Sequence, residues 1–79
     1  MIGAYVMISV LPGRIRGVVK ELKKTPQVGS IAVITGEYDI VVRVSVENLG
    51  LLADVTDSVS QIDGIAKTHT HVIERELSV

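Results

Sequence analysis

The chain has 79 residues, which suffice for one small domain spanning residues 1–79, and it has no cysteine, so disulfides and thiolate-bound zinc or iron–sulfur sites are excluded. Eight Lys and Arg are distributed along the chain and balance nine Asp and Glu for a net charge of −1, which predicts no basic DNA-binding face. No signal peptide is visible before Arg14 and no uncharged apolar run approaches the roughly 18 residues of a membrane span, so we expect a soluble cytoplasmic protein.

The first two predicted elements are a strand and a helix. Ile2 to Leu11 is apolar and rich in β-branched residues, which predicts a buried strand that ends at Pro12-Gly13. From Arg14 the apolar residues recur at helical spacing until Thr25-Pro26 stops the helix. The apolar face of this helix consists of Ile15, Val18, Val19 and Leu22.

The next two elements are predicted to form an antiparallel hairpin. Val28 to Thr35 predicts a second strand and Tyr38 to Val46 a third. Gly36-Glu37 between them predicts a tight turn, and so short a connection requires antiparallel strands.

The last two elements repeat the strand-after-helix order. Asn48 is the predicted N-cap of a second helix, and Asp63-Gly64 ends it, with Gly64 suited to a left-handed conformation. Its apolar face consists of Leu51, Leu52, Val55, Val59 and Ile62. Ile65 to about Leu77 predicts a fourth strand that is polar in its middle.

The order strand, helix, strand, strand, helix, strand predicts an α+β, ferredoxin-like βαββαβ fold. Right-handed crossovers would place both helices on one face of a four-stranded antiparallel sheet. The other face then has no cover from its own chain, although apolar groups such as Tyr5, Met7 and Val41 belong to it. Because monomers rarely expose large apolar patches, we expect a homodimer that packs sheet against sheet. The alternative is an ordinary amphipathic sheet with some exposed Val and Met.

The segment from Val33 to Asp39 is the first candidate for a binding site. Gly36 leaves backbone N–H groups unshielded, and such a turn can hold a carboxylate. Asp39 could pair with an ammonium group, so that together they would suit an amino-acid zwitterion. Residue chemistry alone leaves a plain hairpin turn as the alternative.

The run Thr68-His69-Thr70-His71 is the second candidate. Alternate residues of a strand share a face, so the two histidines point one way and the two threonines the other. The threonine hydroxyls could bind a small polar ligand. The two imidazoles could begin a metal site, but zinc needs a third protein ligand, and we predict no metal and no cofactor. No Ser nucleophile motif and no phosphate-binding glycine motif occurs, so we predict no catalytic residues and no enzyme activity.

The chain resembles the C-terminal, effector-binding domain of Lrp/AsnC (feast/famine) regulators, often called the regulation-of-amino-acid-metabolism (RAM) domain. The resemblance is carried by Ile34 to Asp39 with Val46-Glu47-Asn48-Leu49, and by Ile62 to Ile65 with Thr68-His69-Thr70, and it spans nearly the whole chain. In that family a helix-turn-helix domain precedes this one. Because the first strand begins at Ile2, the chain looks like the stand-alone members, without direct DNA binding.

The resemblance implies a homodimer of the dimeric α+β barrel type that assembles into a ring, an octamer or decamer, with an amino-acid effector between dimers and no membrane contact. A full-length Lrp/AsnC regulator is a further expected partner. Carried over residue by residue, Asp39 would hold the α-amino group of the effector. The other expected ligand-binding residues are Gly36, Glu37, Tyr38, Thr68 and Thr70.

Three other functions remain open at this point. The chain could be a purely structural module that joins a full-length regulator without binding a ligand. It could be a cofactor-free enzyme of the dimeric α+β barrel type, since fold does not fix function, although its only candidate residues are His69 and His71. An ACT-like amino-acid-binding domain is disfavoured, because such a domain would be expected to bind after the first strand rather than at Gly36 to Asp39.

Overall fold

The computed structural model describes all 79 residues and confirms the predicted order of strands and helices. The elements are β1 (Ile2–Val10), α1 (Ile15–Leu22), β2 (Val28–Val33), β3 (Ile40–Val46), α2 (Leu49–Ser60) and β4 (Ile65–Val72). Neither helix is long and apolar enough to cross a membrane.

The four strands form one antiparallel sheet in the order β2-β3-β1-β4, with both helices on one face. The fold is therefore the predicted ferredoxin-like α+β arrangement. Alternate residues of the central strands point toward the helices because side chains of a strand alternate between the two faces. The buried core consists of Ala4, Val6, Ile8, Val18, Leu22, Ile40, Val42, Val44, Val46, Leu52, Val55 and Val59.

The opposite sheet face, called here the open face, carries the other alternate residues. The register places Tyr5 opposite Arg43 and Met7 opposite Val41, and neither helix covers these pairs. The predicted division of β1 and β3 into a buried and an uncovered set is confirmed.

The predicted tight turn at Gly36-Glu37 is wrong. β2 ends at Val33 and β3 begins at Ile40, so that the connection is a six-residue loop spanning residues 34–39. The backbone N–H of Asp39 donates to the carbonyl of Ile8 in β1 at 2.9 Å, which draws this end of the loop toward β1.

The fourth strand ends at Val72 rather than near Leu77. Its partner is β1, which starts at Ile2, and the last main-chain hydrogen bond runs from Ile73 N–H to Gly3 C=O at 2.9 Å. The tail from residue 74 onward makes no main-chain hydrogen bond to β1.

The start of α2 is as the sequence predicts, but its end comes before the predicted Asp63-Gly64. The side chain of Asn48 accepts a hydrogen bond from Leu51 N–H at 2.9 Å and so caps α2. Gly64 has the expected positive φ, at 101°, although α2 already ends at Ser60. Gly64 is buried where the chain enters β4, and its carbonyl accepts from Leu11 N–H at 2.8 Å.

The basic residues are not evenly distributed in the fold, which corrects the expectation from the sequence. Five of the eight lie on α1 or directly beside it, and these are Arg14, Arg16, Lys20, Lys23 and Lys24. No Lys or Arg occurs between residues 44 and 66, the stretch that contains α2. The helical layer therefore has a basic half and an acidic half.

Candidate functional site

The loop of residues 34–39 lies at the end of the sheet where β1 leads into α1. Its two ends are joined by a hydrogen bond of 2.9 Å from Ile34 N–H to the carbonyl of Asp39. Gly36 has a φ of 150°, and a side chain there would meet no atom within 4 Å. Glu37 beside it is exposed. The backbone at the tip of this loop is therefore open to a ligand.

The Asp39 side chain is partly buried and already has one partner. Its Oδ2 accepts a hydrogen bond of 2.8 Å from Val10 N–H, the last residue of β1. The side chain thus fixes the loop to β1, while Oδ1 makes no hydrogen bond within the chain. A carboxylate has two oxygens that can accept hydrogen bonds, so Asp39 can still bind a cation through Oδ1.

Tyr38 turns to the open face and meets β4. Its hydroxyl is hydrogen-bonded to Nδ1 of His69, and the two rings are in edge contact with centroids 5.5 Å apart. The ammonium of Lys67 lies 5.7 Å from the centre of the tyrosine ring, within the range of a cation–π interaction. The hydroxyl of Tyr38, a predicted ligand residue, is thus already hydrogen-bonded to a side chain of β4.

The register of β4 settles which face its polar residues occupy. Thr68 pairs with Ile8 and Thr70 with Val6, whose side chains lie in the core, so both threonines lie on the helix side of the sheet. His69 pairs with Met7, and it therefore lies on the open face. The prediction that the threonines and the histidines separate onto two faces is confirmed.

A single copy does not gather the six predicted ligand residues. Asp39 and Thr68 flank β1 from opposite sides, since both meet Ile8, and two strand spacings amount to about 10 Å. Tyr38 lies on the open face and Thr70 on the helix side. None of the four surface cavities is lined by any of the six residues.

Comparison with known proteins decides the family. Residues 3–78 match the family model described as the Lrp/AsnC ligand binding domain. The chain belongs to this family. A helix-turn-helix-type transcriptional regulator of Pyrococcus abyssi, itself uncharacterised, is 36% identical over 71 residues, which make up 89% of this chain and 45% of the relative. This Lrp/AsnC domain therefore spans less than half the length of that regulator.

Two solved structures share the fold of this Lrp/AsnC domain. The crystal structure of TTHA0845 from Thermus thermophilus has a TM-score of 0.91 at 29% identity and is covered completely, as is this chain. The complex of a Neisseria meningitidis transcriptional regulator with L-Met has a TM-score of 0.86 at 18% identity, over 99% of this chain and 53% of that one. The relatives of this Lrp/AsnC domain are transcriptional regulators with a ligand-binding domain.

The open face of the Lrp/AsnC domain holds a polar cluster that the sequence did not reveal. Arg43 donates to Oε1 of Glu76 at 2.7 Å and to the hydroxyl of Ser45 at 2.7 Å, and the Tyr5 hydroxyl donates to Glu76 Oε2 at 3.3 Å. The hydrogen bond from Arg43 lowers the pKa of the Glu76 carboxyl, and the carboxylate raises the pKa of the guanidinium. This cluster fastens the C-terminal tail to the open face.

Part of this cluster had a signal in the sequence. The alternation of β1 and β3 already assigns Tyr5 and Arg43 to the same face. Nothing in the sequence indicates that Glu76 returns to them from the tail. No group of three His, Asp or Glu side chains is placed so as to hold a metal ion.

Proposed function

We propose that the chain is an amino-acid-sensing and assembly module that works as the C-terminal domains of Lrp/AsnC regulators do, in the cytoplasm. Family membership supports a ligand-binding role, and the solved complex of a regulator with the same fold contains an amino acid, L-Met. The observation that carries the proposal is the state of Asp39, whose Oδ2 is held by Val10 N–H while Oδ1 has no partner.

The proposed effector is a free amino acid whose ammonium group binds Oδ1 of Asp39. A charge-assisted bond of this kind is short and strong because both partners are ionised. The open backbone at Gly36 is suited to the carboxylate of the same effector, and Glu37 and Tyr38 stand beside it. One small zwitterion could span these two groups.

The site needs a second copy to be complete. Thr68 and Thr70 lie about two strand spacings from Asp39, too far for one small molecule to touch all three residues in one chain. Threonines from a neighbouring copy would close the site over the loop. This arrangement agrees with the resemblance, which implies an effector bound between dimers of a ring, an octamer or decamer.

The dimer itself is proposed to form through the open face. Tyr5, Met7 and Val41 stand there without cover from either helix. Burying such groups against the same groups of a second copy removes apolar area from water. The same module would join a full-length Lrp/AsnC regulator, since that partner contains the same domain.

The test of sensing is isothermal titration calorimetry with the twenty amino acids on the wild type and on Asp39→Asn. The amide keeps an oxygen for Val10 N–H but removes the charge, so the loop stays in place while the ammonium loses its partner. Hydrogen bonds to charged groups are worth about 1.5–3 kcal/mol, so we expect affinity to fall by roughly 10- to 150-fold. A deaminated analogue of the effector should bind the two proteins equally weakly.

The matched control is Glu47→Gln, an exposed carboxylate just beyond the opposite end of β3 from Asp39. It removes the same charge and should bind the effector as the wild type does. Equal affinity of the wild type and Asp39→Asn would contradict the assignment of the ammonium site.

The second candidate is a structural module that binds no ligand. It is favoured by the observation that no surface cavity of one copy is lined by the six predicted residues. Its signature would be the absence of heat with every amino acid, combined with co-purification of a full-length helix-turn-helix homologue.

A further inference from the structure

The outer surface of α1 carries a groove that the proposed effector site does not use. The groove measures about 600 Å³ and starts at Gly13, with Ile15 and Val19 as its apolar floor. Ile15 is 37% exposed, although its spacing in the helix predicts a buried position. The basic rim consists of Arg16, Lys20 and Lys23.

The rim residues are not neutralised within the chain. The ion pairs of the molecule are Arg14 with Asp63, Lys24 with Glu21 and Arg43 with Glu76. Arg16, Lys20 and Lys23 therefore carry positive charge around an apolar floor without an acidic partner.

The exposed side of α2 has the opposite charge. Asp54 and Asp57 are both exposed, form no ion pair, and lie one helical turn apart beside the small residues Gly50 and Ala53. This surface is acidic, whereas the surface of α1 is basic and grooved.

Lys20 in the last turn of α1 and Lys23 at its C-cap suit the helix dipole, but helix stability does not explain two of the other charges. A helix is stabilised by acidic residues in its first turn and by basic residues in its last turn. Arg16 lies in the first turn of α1, and Asp57 lies in the last turn of α2, so both oppose the dipole of their own helix. A role outside the helix is the simpler reason for their positions.

We infer that the helical layer is an interface between copies of this chain, in which the groove of α1 receives the acidic surface of α2 from a second copy. The complementary charges select this pairing, because α1 against α1 or α2 against α2 would bring like charges together. A two-fold axis between the layers forms the α1–α2 contact twice. The inference rests on the assembly part of the proposed function and not on amino-acid binding.

The test is analytical ultracentrifugation of two charge-reversed variants, Lys20→Glu/Lys23→Glu and Asp54→Lys/Asp57→Lys. The first has two acidic helix surfaces and the second has two basic ones, so each should repel its own kind. We expect each variant to stop at a smaller species than the wild type, with the contact weakened more than about tenfold. An equimolar mixture should recover the wild-type sedimentation coefficient, because each variant supplies the surface that the other lacks.

A second pair of variants separates this contact from net charge. Arg75→Glu and Glu74→Lys shift the net charge in the same two directions, by half as much, and change no residue of either helix or of the candidate effector site. Each should sediment as the wild type does. Circular dichroism of all four variants establishes that they are folded.

The outcomes decide between the contact and its rivals. The inference is overturned if the wild type never exceeds a dimer at low salt, if the helix variants assemble normally, or if their mixture fails to restore assembly. The basic groove would instead be a nucleic-acid site if the wild type bound a short DNA duplex and Lys20→Glu/Lys23→Glu assembled normally but no longer bound it. If the wild type and the mixture of variants assemble but bind no amino acid, the sensing proposal fails and this inference stands.

Discussion

The entry to β4 offers the sharpest test of how this small domain is packed. Gly64 combines a φ of 101° with close contacts, since a Cβ there would lie 2.8 Å from Cβ of Arg14 and 3.1 Å from Cγ2 of Val18. Both contacted atoms lie close to the main chain, because Val18 belongs to α1 and Arg14 directly precedes it. Neither atom can therefore rotate away freely. Gly64→Ala therefore forces a shift of the start of α1 relative to β4.

The expected cost follows from two terms. A non-glycine residue at positive φ costs roughly 1–2 kcal/mol, and overpacking a close contact costs about 1–3 kcal/mol. Alanine also lowers the conformational entropy of the unfolded chain, which offsets about 0.4–1 kcal/mol of this cost. We therefore expect Gly64→Ala to lower the free energy of unfolding by about 1–4.6 kcal/mol, with about 3 kcal/mol as the middle of the range. Since the total free energy of unfolding of a domain of this size is roughly 4–12 kcal/mol, the loss would be large.

The assay is thermal and urea unfolding at one fixed protein concentration, because assembly makes the midpoint concentration-dependent. A loss of about 3 kcal/mol should lower Tm by roughly 12–24 °C.

Two other glycines serve as controls. Gly13→Ala isolates the cost of a positive φ, because φ there is 77° and no atom lies within 4 Å of the added Cβ. Gly17→Ala, in the exposed part of α1 with equally open space, should raise stability by about 0.5–1 kcal/mol. A loss below about 1 kcal/mol for Gly64→Ala would refute the packing argument.

Two further predictions concern the cap of α2 and the tail. Asn48→Ala removes the acceptor for Leu51 N–H and should cost about 1 kcal/mol in urea unfolding, while an unchanged midpoint would contradict the cap. The pKa of Glu76 is lowered by Arg43, so the tail contact should be present above the ordinary carboxyl value of 4.5 and should be lost as pH falls through the lower folded-state pKa. Hydrogen exchange should show the tail released in acid, and Glu76→Gln should show it already released at pH 7; identical tail protection in both proteins at pH 7 would argue against the contact.

The parts of the fold that the sequence predicts are those governed by local periodicity. Alternation along β1 and β3 assigns the two sheet faces correctly, because successive side chains of a strand point to opposite faces of the sheet. The cap at Asn48 is local too, since the capped N–H lies three residues away. Element order and helix placement follow from these signals with the chirality rule for crossovers.

The parts that the sequence does not predict depend on distant contacts. The loop of residues 34–39 is longer than a tight turn because Asp39 bonds to Val10 and Ile8, some thirty residues earlier. The face of Thr68 is fixed by the register of β4 against β1, and no local pattern gives that register. The sequence therefore proposes residues for the candidate site but does not give their arrangement.

Two contacts of different character suggest how copies of this chain would assemble. The open face presents the same apolar groups and the same Arg43–Glu76 cluster to any second copy, which suits a two-fold contact of the sheet with itself. The helical layer presents opposite charges on α1 and α2, which a second two-fold axis can match in both directions. Two two-fold axes that intersect at an angle dividing 180° evenly generate a closed ring with an even number of copies, and the angle between them sets that number. An octamer or a decamer satisfies this condition, whereas a ring with an odd number of chains does not. A measured mass that corresponds to an odd number of chains would therefore rule out at least one of the two contacts.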